Sequence, residues 1–242
     1  MIRPTMYRYG SSPALGFAQQ ELIRQGYSFT EDPEEAQLIL LDVPNKASPE
    51  ALQLFLSHRN QGTLLCGGNI PAEISRDFPV IDLLRDEWYL CENAAITAER
   101  AIQVAMERLP VLLNSVNILI IGWGRVGKIL AAKLQRLGCH VTIAARNPSD
   151  QALIQALGYR CGAPGTIVLS PFRLIFNTAP APIYTEQALS DCPDAVKIDL
   201  ASVPGLLSPD VISAKGLPGR YAPESSGNLI AATLIRRLEE RS

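Results

Sequence analysis

The 242-residue sequence contains little of what marks several common classes of protein. Aromatic residues make up 6%, and His58 and His140 are the two histidines. The formal net charge is −2, which gives no reason to expect nucleic acid or an anionic membrane as a partner. No apolar run has the length of a membrane span, and residues 1–7 lack the apolar core of a signal peptide.

The cysteines are few and widely spaced, and no two of them form a Cys-x-x-Cys pair. Their number is odd, which favours reduced thiols in a cytoplasmic protein over disulfides, and we expect no metal site. Hydrophobic residues make up 47%, enough for one large domain or two small ones. The cysteines are Cys66, Cys91, Cys139, Cys161 and Cys192.

The most informative stretch lies at residues 116–146. An apolar, β-branched run at 116–121 predicts a buried strand, and a glycine-rich turn follows it at once. A helical pattern at 128–137 ends at Gly138, and residues 140–144 predict a second strand. Strand, glycine turn, helix and strand within about thirty residues have the size of a βαβ unit.

The glycine turn has the spacing of a dinucleotide-binding motif. Gly122 permits a tight turn, Gly124 lets backbone approach a pyrophosphate, and Gly127 lets the helix lie close to the strand. Amide groups and the dipole at the helix start favour the diphosphate charge. The alternative is an ordinary glycine turn in a core. The motif makes the whole turn a candidate for cofactor binding: Gly122, Trp123, Gly124, Arg125, Val126 and Gly127.

The end of the second strand predicts which dinucleotide binds. An NAD site usually has Asp or Glu about 20 residues past the first glycine, to bind the ribose 2′-hydroxyl. Here the position holds Ala145 and Arg146, without a carboxylate. Arg146 can hold a 2′-phosphate through charge-assisted bonds, helped by Asn147 or Ser149, so we predict NADP over NAD. Arg146 could instead be a solvated residue after a strand.

Alternating strands and helices predict an α/β protein of two domains, each with a parallel sheet. Residues 1–90 form a small flavodoxin-like domain, 91–114 a connecting helix and 115–224 a Rossmann-type, doubly wound domain. Residues 225–242 form a helix that packs back toward the first domain. The first domain is predicted to have strands at 6–10, 37–41 and 63–66 and helices at 13–25 and 48–60, the second of which is capped by Ser48.

The connecting helix supplies candidate substrate groups. Thr97 is a good helix N-cap and Glu99 follows in the first turn, so we expect a helix from there to about Leu109. Asn93 and Thr97 would then face a substrate from the N-terminal end of the helix. Equally, both residues could only cap and turn the chain.

Polar side chains also follow the later predicted strands, 174–176 and 196–198, at the edge where open α/β sheets bind ligands. Each alone could be turn chemistry. A final amphipathic helix is predicted at 228–240, opened by residues 225–227. The polar candidates at these strand ends are Asn177, Thr178, Asp199, Ser202 and Arg220.

Over roughly residues 80–240 the sequence resembles the A subunit of bacterial dipicolinate synthase. The motifs that carry the resemblance occur in the family's order with compatible spacing. Two departures are Ala95, where the family tends to have proline, and Leu206, in place of an expected glycine. The matching motifs are 86–105, Gly122-Trp-Gly-Arg-Val-Gly127, Ala144-Ala-Arg146, Asn177-Thr-Ala-Pro180, Asp199-Leu-Ala-Ser202, Leu217-Pro-Gly219 and Ala222-Pro223.

The resemblance implies a two-domain, NADP-dependent oxidoreductase. With a flavoprotein-like B subunit, the family makes dipicolinic acid, the calcium-chelating diacid of endospores, from the product of dihydrodipicolinate synthase. The implied reaction oxidises a dihydro- or hydroxytetrahydro-pyridine dicarboxylate and passes hydride to NADP+. The motifs add Asn177, Thr178, Ala179, Pro180 and Ala201 to the predicted cofactor site.

For the substrate, Arg220 is the first candidate, because a guanidinium fork fits a carboxylate. Asn93, Thr97 and Ser202 are possible further donors, and Glu99 or Asp199 a possible base. A homodimer is expected only by analogy.

Four alternatives stay open. A 2-hydroxy acid dehydrogenase normally needs a histidine late in the chain, and neither His58 nor His140 is placed for that role. The chain could instead be an NADP-binding subunit with little activity alone, or a sensor that binds NADP only as a ligand. It could also be another NADP-dependent dehydrogenase of a small carboxylic acid.

Overall fold

A computed structural model describes residues 3–241 of the chain. Met1, Ile2 and Ser242, which belong to the predicted first domain and last helix, lie outside the described residues. The chain divides into two compact units: a first unit of Met1–Asn93 with Pro218–Ser242, and a second unit of Ala94–Leu217. These divisions differ by a few residues from the predicted boundaries at 90 and 224, and the first of them falls inside a long helix.

The elements are numbered in chain order. The strands are β1 Met6–Tyr9, β2 Leu38–Leu41, β3 Leu64–Gly67, β4 Val80–Asp82, β5 Asn117–Ile121, β6 His140–Ala144, β7 Arg160–Gly162, β8 Phe172–Asn177, β9 Val196–Asp199 and β10 Ile212–Ser213. The helices are α1 Pro13–Arg24, α2 Pro49–Leu56, α3 Ile74–Asp77, α4 Glu87–Arg108, α5 Arg125–Arg136, α6 Pro148–Ala156, α7 Glu186–Leu189, α8 Leu217–Tyr221 and α9 Pro223–Glu239.

The first unit contains a parallel sheet with the strand order β1-β2-β3-β4. The free edge of β1 is bridged by the segment around Phe29, which pairs in parallel with Met6. When this bridge is counted as the second strand, the order becomes 2-1-3-4-5, which is that of flavodoxin-like sheets. The predicted flavodoxin-like sheet is therefore confirmed.

Local signals explain the helices of the first unit. Ser48 Oγ accepts a hydrogen bond from the backbone amide of Ala51 at 3.1 Å, and Pro49 begins α2, as predicted. Helix α9 packs on α1, where a side chain at Gly227 would collide with the backbone of Ala14. The final helix thus lies in the same unit as the N-terminal segment.

The second unit contains a parallel sheet with the order β10-β9-β8-β5-β6-β7. Strand β5 pairs with β6 on one side and β8 on the other, so the strand order reverses beside β5. Residues 118–121 are fully buried and alternate between two apolar clusters, one on each face of the sheet. The predicted doubly wound sheet is confirmed, and its switch point lies at the end of β5.

Several predicted boundaries were wrong for identifiable reasons. Thr97 lies inside α4 and is not its N-cap. The helix begins ten residues earlier because the Asp86 side chain accepts a hydrogen bond from the Tyr89 amide at 3.0 Å.

Residues 217–221, for which no helix was predicted, form α8, and α9 begins at Pro223 rather than Asn228. Strands β4, β7 and β10 were missed because two or three residues carry no periodicity. None of the helices within residues 3–241 combines the length and apolar character needed to cross a bilayer.

Candidate functional site

A groove of about 320 Å³ lies at the carboxyl edge of the second unit's sheet. Its walls are the residues that follow β5, β6 and β8, so it lies at the switch point where open α/β sheets bind ligands. Of the predicted cofactor residues, the groove is lined by Gly122, Trp123, Gly124, Ala145, Arg146, Asn147, Thr178, Ala179 and Pro180.

Two glycines have the predicted structural roles. Gly122 has a φ of 103°, and a Cβ there would stand 2.6 Å from Thr178 Oγ1. A Cβ on Gly127 would collide with the carbonyl oxygen of Gly122. Gly122 therefore makes the turn, and Gly127, which is buried, brings α5 against it.

Gly124 is different, because it faces open space. It is the N-cap of α5 and provides no side-chain cap. Apart from Gly124 itself and its two chain neighbours, no heavy atom of residues 3–241 lies within 4 Å of the place where its Cβ would stand. The first-turn amides of a helix lack intrahelical partners, so this end of α5 presents donors beside an open groove. The arrangement fits a diphosphate.

The loop after β8 is held to β5 by Thr178. Its amide and its Oγ1 both donate to the carbonyl oxygen of Ile121, at 2.8 and 2.9 Å. The preceding Asn177 is fully buried and does not line the groove. Its amide nitrogen donates to Asp199 Oδ1 at 2.9 Å and to the Ala179 carbonyl at 3.1 Å. Asn177 therefore holds in place the loop that carries Thr178 and Ala179, without lining the groove itself.

Asp199 is buried and organises the loop after β9. Its carboxylate accepts hydrogen bonds from the amides of Ala201 (3.0 Å), Gly205 (2.7 Å) and Leu206 (3.1 Å), besides the one from Asn177. Four donors fill the positions of both oxygens. These contacts favour a structural role over the role of base considered from the sequence. Ala201 is buried next to it and does not line the groove.

The wall after β6 carries the charges. Arg146 is exposed, and within residues 3–241 its guanidinium has no hydrogen-bond or ion-pair partner. Asn147 Oδ1 accepts from the amide of Ser149 at 3.0 Å and from its hydroxyl at 2.8 Å, which caps α6. Ser149 itself does not line the groove. The two expected helpers of Arg146 are thus bonded to each other.

Trp123 lies between the first two glycines of the motif. Its ring meets Tyr159 edge-on at 5.9 Å, and the Lys128 amino group lies 5.8 Å from the ring centre. The indole nitrogen is buried and has no hydrogen-bond partner within the described chain. Of the other turn residues predicted to bind cofactor, Arg125 and Val126 do not line the groove.

Five groove residues were not predicted as cofactor residues from the sequence: Ile121 and Ala144, which end β5 and β6, and Asp150, Pro164 and Ile183. Asp150 had a readable signal, because it is an acid in the first turn after the cap and proline at 147–148. Pro164 and Ile183 come from loops whose approach to the groove no local pattern encodes.

The predicted substrate residues do not line this groove. Glu99 is exposed on α4, and its carboxylate lies 3.3 Å from the Lys133 amino group. Asn93 and Thr97 lie inside the same helix and are half-buried.

Ser202 is exposed, and its carbonyl accepts from the Lys215 amino group at 2.8 Å. Arg220 is exposed on α8 in the first unit, with its guanidinium 5.4 Å from the Tyr221 ring centre. None of these predicted substrate side chains lines the groove.

The sequence of the chain matches one family model and one curated relative. Residues 118–189 match the family model of ketopantoate reductase PanE/ApbA, which covers less than half of the chain. A curated relative, the A subunit of dipicolinate synthase from Bacillus subtilis, is 26% identical over 193 residues, which cover 71% of this chain and 61% of that protein. The match therefore spans less than two thirds of the curated relative's length.

Solved structures extend the similarity of fold to nearly the whole chain. The dipicolinate synthase A subunit of Bacillus halodurans has a TM-score of 0.82 at 21% identity, covering 97% of each chain. Salmonella D-lactate dehydrogenase has a TM-score of 0.61 at 13% identity, covering 96% of this chain and 95% of its own. The fold is thus that of two-domain dehydrogenases, and the resemblance to the family of dipicolinate synthase A subunits that the motifs predict is confirmed.

Proposed function

We propose that the protein is an NADP-dependent oxidoreductase whose coenzyme binds in the groove at the end of β5. The observation that carries this proposal is the glycine turn. Gly122 and Gly127 close it tightly, while Gly124 leaves open space at the start of α5. The diphosphate is held by amides of this helix start and by its dipole.

Arg146 supports NADP over NAD. It follows β6 at the position where an NAD site has a carboxylate, and it lines the groove without an internal ion pair. A guanidinium presents a planar fork of donors to a phosphate, and no existing partner has to be displaced first. Arg146 therefore binds the 2′-phosphate of NADP.

The reaction proposed is oxidation of a dihydro- or hydroxytetrahydro-dipicolinate to dipicolinate. The support is the resemblance to the A subunit of dipicolinate synthase, since the fold alone is shared with other dehydrogenases. The dihydro substrate loses a hydride to NADP+ and a proton, and the hydroxytetrahydro substrate also loses water. The bound coenzyme supplies the hydride acceptor, and the protein must orient the ring and receive the proton.

Arg220 is proposed to bind a substrate carboxylate, with Ser202, Asn93 and Thr97 as further polar groups. Arg220 is exposed and carries no carboxylate partner among residues 3–241, so its guanidinium is available to an anion. Because the product is the diacid of endospores, the proposal places the protein in the cytoplasm of a sporulating cell. Its candidate partners there are a second copy of the chain and a B-type subunit.

Calorimetry with NADP+ and NAD+ tests the coenzyme site. Wild-type protein should release heat with NADP+, and Arg146→Ala should weaken NADP+ binding by about tenfold or more, since charge-assisted bonds contribute about 1.5–3 kcal/mol. NAD+ binding should change little. Arg173→Ala, which removes an exposed arginine of β8 outside the groove, is the matched control. Equal losses for the two coenzymes would contradict the assignment of Arg146.

Absorbance of the reduced coenzyme tests catalysis. Wild-type protein should form it from the dihydro- or hydroxytetrahydro-substrate, and the rate is compared with and without the B-type subunit. Arg220→Ala should raise KM and leave NADP+ binding unchanged, whereas Arg76→Ala, at an exposed arginine of α3, should change neither KM nor NADP+ binding. Coenzyme binding without turnover in both conditions would favour a sensor over an enzyme.

A further inference from the structure

A single carboxylate shares the groove wall with Arg146. Asp150 is in the first turn of α6 and lines the groove, four residues after Arg146 and separated from it by the cap of the helix. It is half-buried, whereas Arg146 is exposed. Two opposite charges therefore face the space assigned above to the 2′-substituent of the coenzyme.

The two charges are not paired with each other. No ion pair within 4.0 Å joins Arg146 to Asp150, and neither has another ionic or hydrogen-bond partner within residues 3–241. A carboxylate in the first turn of a helix interacts favourably with the helix dipole. Among residues 3–241, no cationic side chain pairs with Asp150 at the groove.

The side-chain oxygens of Asn147 and Ser149 are already hydrogen-bonded. Asn147 Oδ1 accepts both the amide and the hydroxyl of Ser149, so the hydroxyl's proton is directed at the cap and not at the groove. The charged side chains that line the groove are Arg146 and Asp150, and they act in opposite directions on a 2′-phosphate and a 2′-hydroxyl. A phosphate is attracted by the guanidinium and repelled by the carboxylate, and a hydroxyl can donate to the carboxylate.

We propose that Asp150 is a specificity-determining residue that weakens the binding of the 2′-phosphorylated coenzyme and supports that of NAD. This inference rests on the proposed binding of a dinucleotide in the groove. Arg146 makes the affinity for NADP higher than that for NAD. Asp150 reduces the difference between the two affinities, so that binding of NAD remains measurable.

The test is Asp150→Asn, which keeps the side chain's size and removes its charge. Affinities for NADP+ and NAD+ are measured by calorimetry and by the change in tryptophan fluorescence, to which Trp123 in the groove contributes. Asp194→Asn is the matched control, since it removes one exposed acid of the same unit outside the groove. A thermal melt of each variant verifies folding.

Asp150→Asn should bind NADP+ about two- to tenfold more tightly, the range expected for removing one of two like charges at a partly exposed site, and NAD+ more weakly. The gain should shrink at high salt because the charges are screened. A change in NADP+ affinity no larger than that of Asp194→Asn overturns the inference and leaves the proposed function standing. No heat from wild-type protein with either coenzyme overturns the proposed function, and the inference with it.

Discussion

Substituting Gly124 by alanine separates the coenzyme site from the stability of the fold. The residue has φ −79° and ψ −171°, a conformation that alanine adopts freely. A methyl group there would meet no heavy atom of the described chain within 4 Å, apart from those of the residue itself and its two chain neighbours. The variant should therefore fold as the wild type does, with a methyl group in the space proposed for the diphosphate.

The expected magnitudes differ between folding and binding. Alanine is a poorer N-cap than glycine, but it also restricts the unfolded chain by about 0.4–1 kcal/mol, so the net change in the free energy of unfolding should be within about 1 kcal/mol. Losing one charge-assisted hydrogen bond to the diphosphate costs about 1.5–3 kcal/mol, which lowers coenzyme affinity roughly ten- to a hundredfold.

Urea unfolding and calorimetry with NADP+ measure the two quantities on the same preparation. Gly127→Ala is the contrasting variant, because its Cβ would collide with backbone and should lower the stability of the second unit. Gly16→Ala, in α1, is the control, since its nearest contact is the flexible end of Arg8 at 3.6 Å. Wild-type coenzyme affinity in stable Gly124→Ala would refute the placement of the diphosphate at this helix start.

Three further outcomes are expected. Asp199→Ala should cost about 3 kcal/mol in urea unfolding, because four buried donors lose their acceptor; a loss under about 1 kcal/mol would contradict this role. Asp210→Ala, which leaves the Lys197 amino group buried without its carboxylate 2.6 Å away, should cost about 3 kcal/mol in the same assay, more than Lys197→Met, where the charge left behind is the exposed carboxylate of Asp210. Burial raises the pKa of Asp86, but a backbone amide and Arg236 outweigh it and lower that pKa below its usual range. The stability that Asp86 contributes is therefore present above the unfolded-state pKa and is lost as pH falls through the folded-state pKa. In Asp86→Asn, the melting temperature should fall less steeply than in the wild type as the pH is lowered through this range.

The parts of the fold that were predictable have their cause in adjacent residues. Strand β6 was predicted with its observed bounds because an apolar run is enclosed between Gly138 and a polar turn. The glycine spacing likewise locates a turn and a helix start without knowledge of any distant contact. Buried parallel strands of this kind leave a continuous apolar signal that survives in a single sequence.

The start of α4 shows where such reasoning fails. Asp86 and Thr97 are both suitable N-caps, and both precede residues with helical propensity. Asp86 lies at the true start, where its other oxygen also receives the Arg236 guanidinium, 150 residues away, at 2.6 Å. A contact so distant in sequence cannot be read from the neighbourhood of either candidate, so local propensity alone could not choose between them.

Polar site residues are harder to assign than helices, because one side chain serves structure and catalysis with the same hydrogen-bonding groups. Asp199 follows a strand at the ligand edge, which made it a candidate base, yet its acceptors are filled by donors from positions 177 and 201–206. Arg146 follows a neighbouring strand and has no such partners within the described residues. The sequence places both at the same edge of the sheet. The number of internal donors and acceptors that reach each side chain separates an organiser of the loop from a group available to a ligand, and that number depends on tertiary structure.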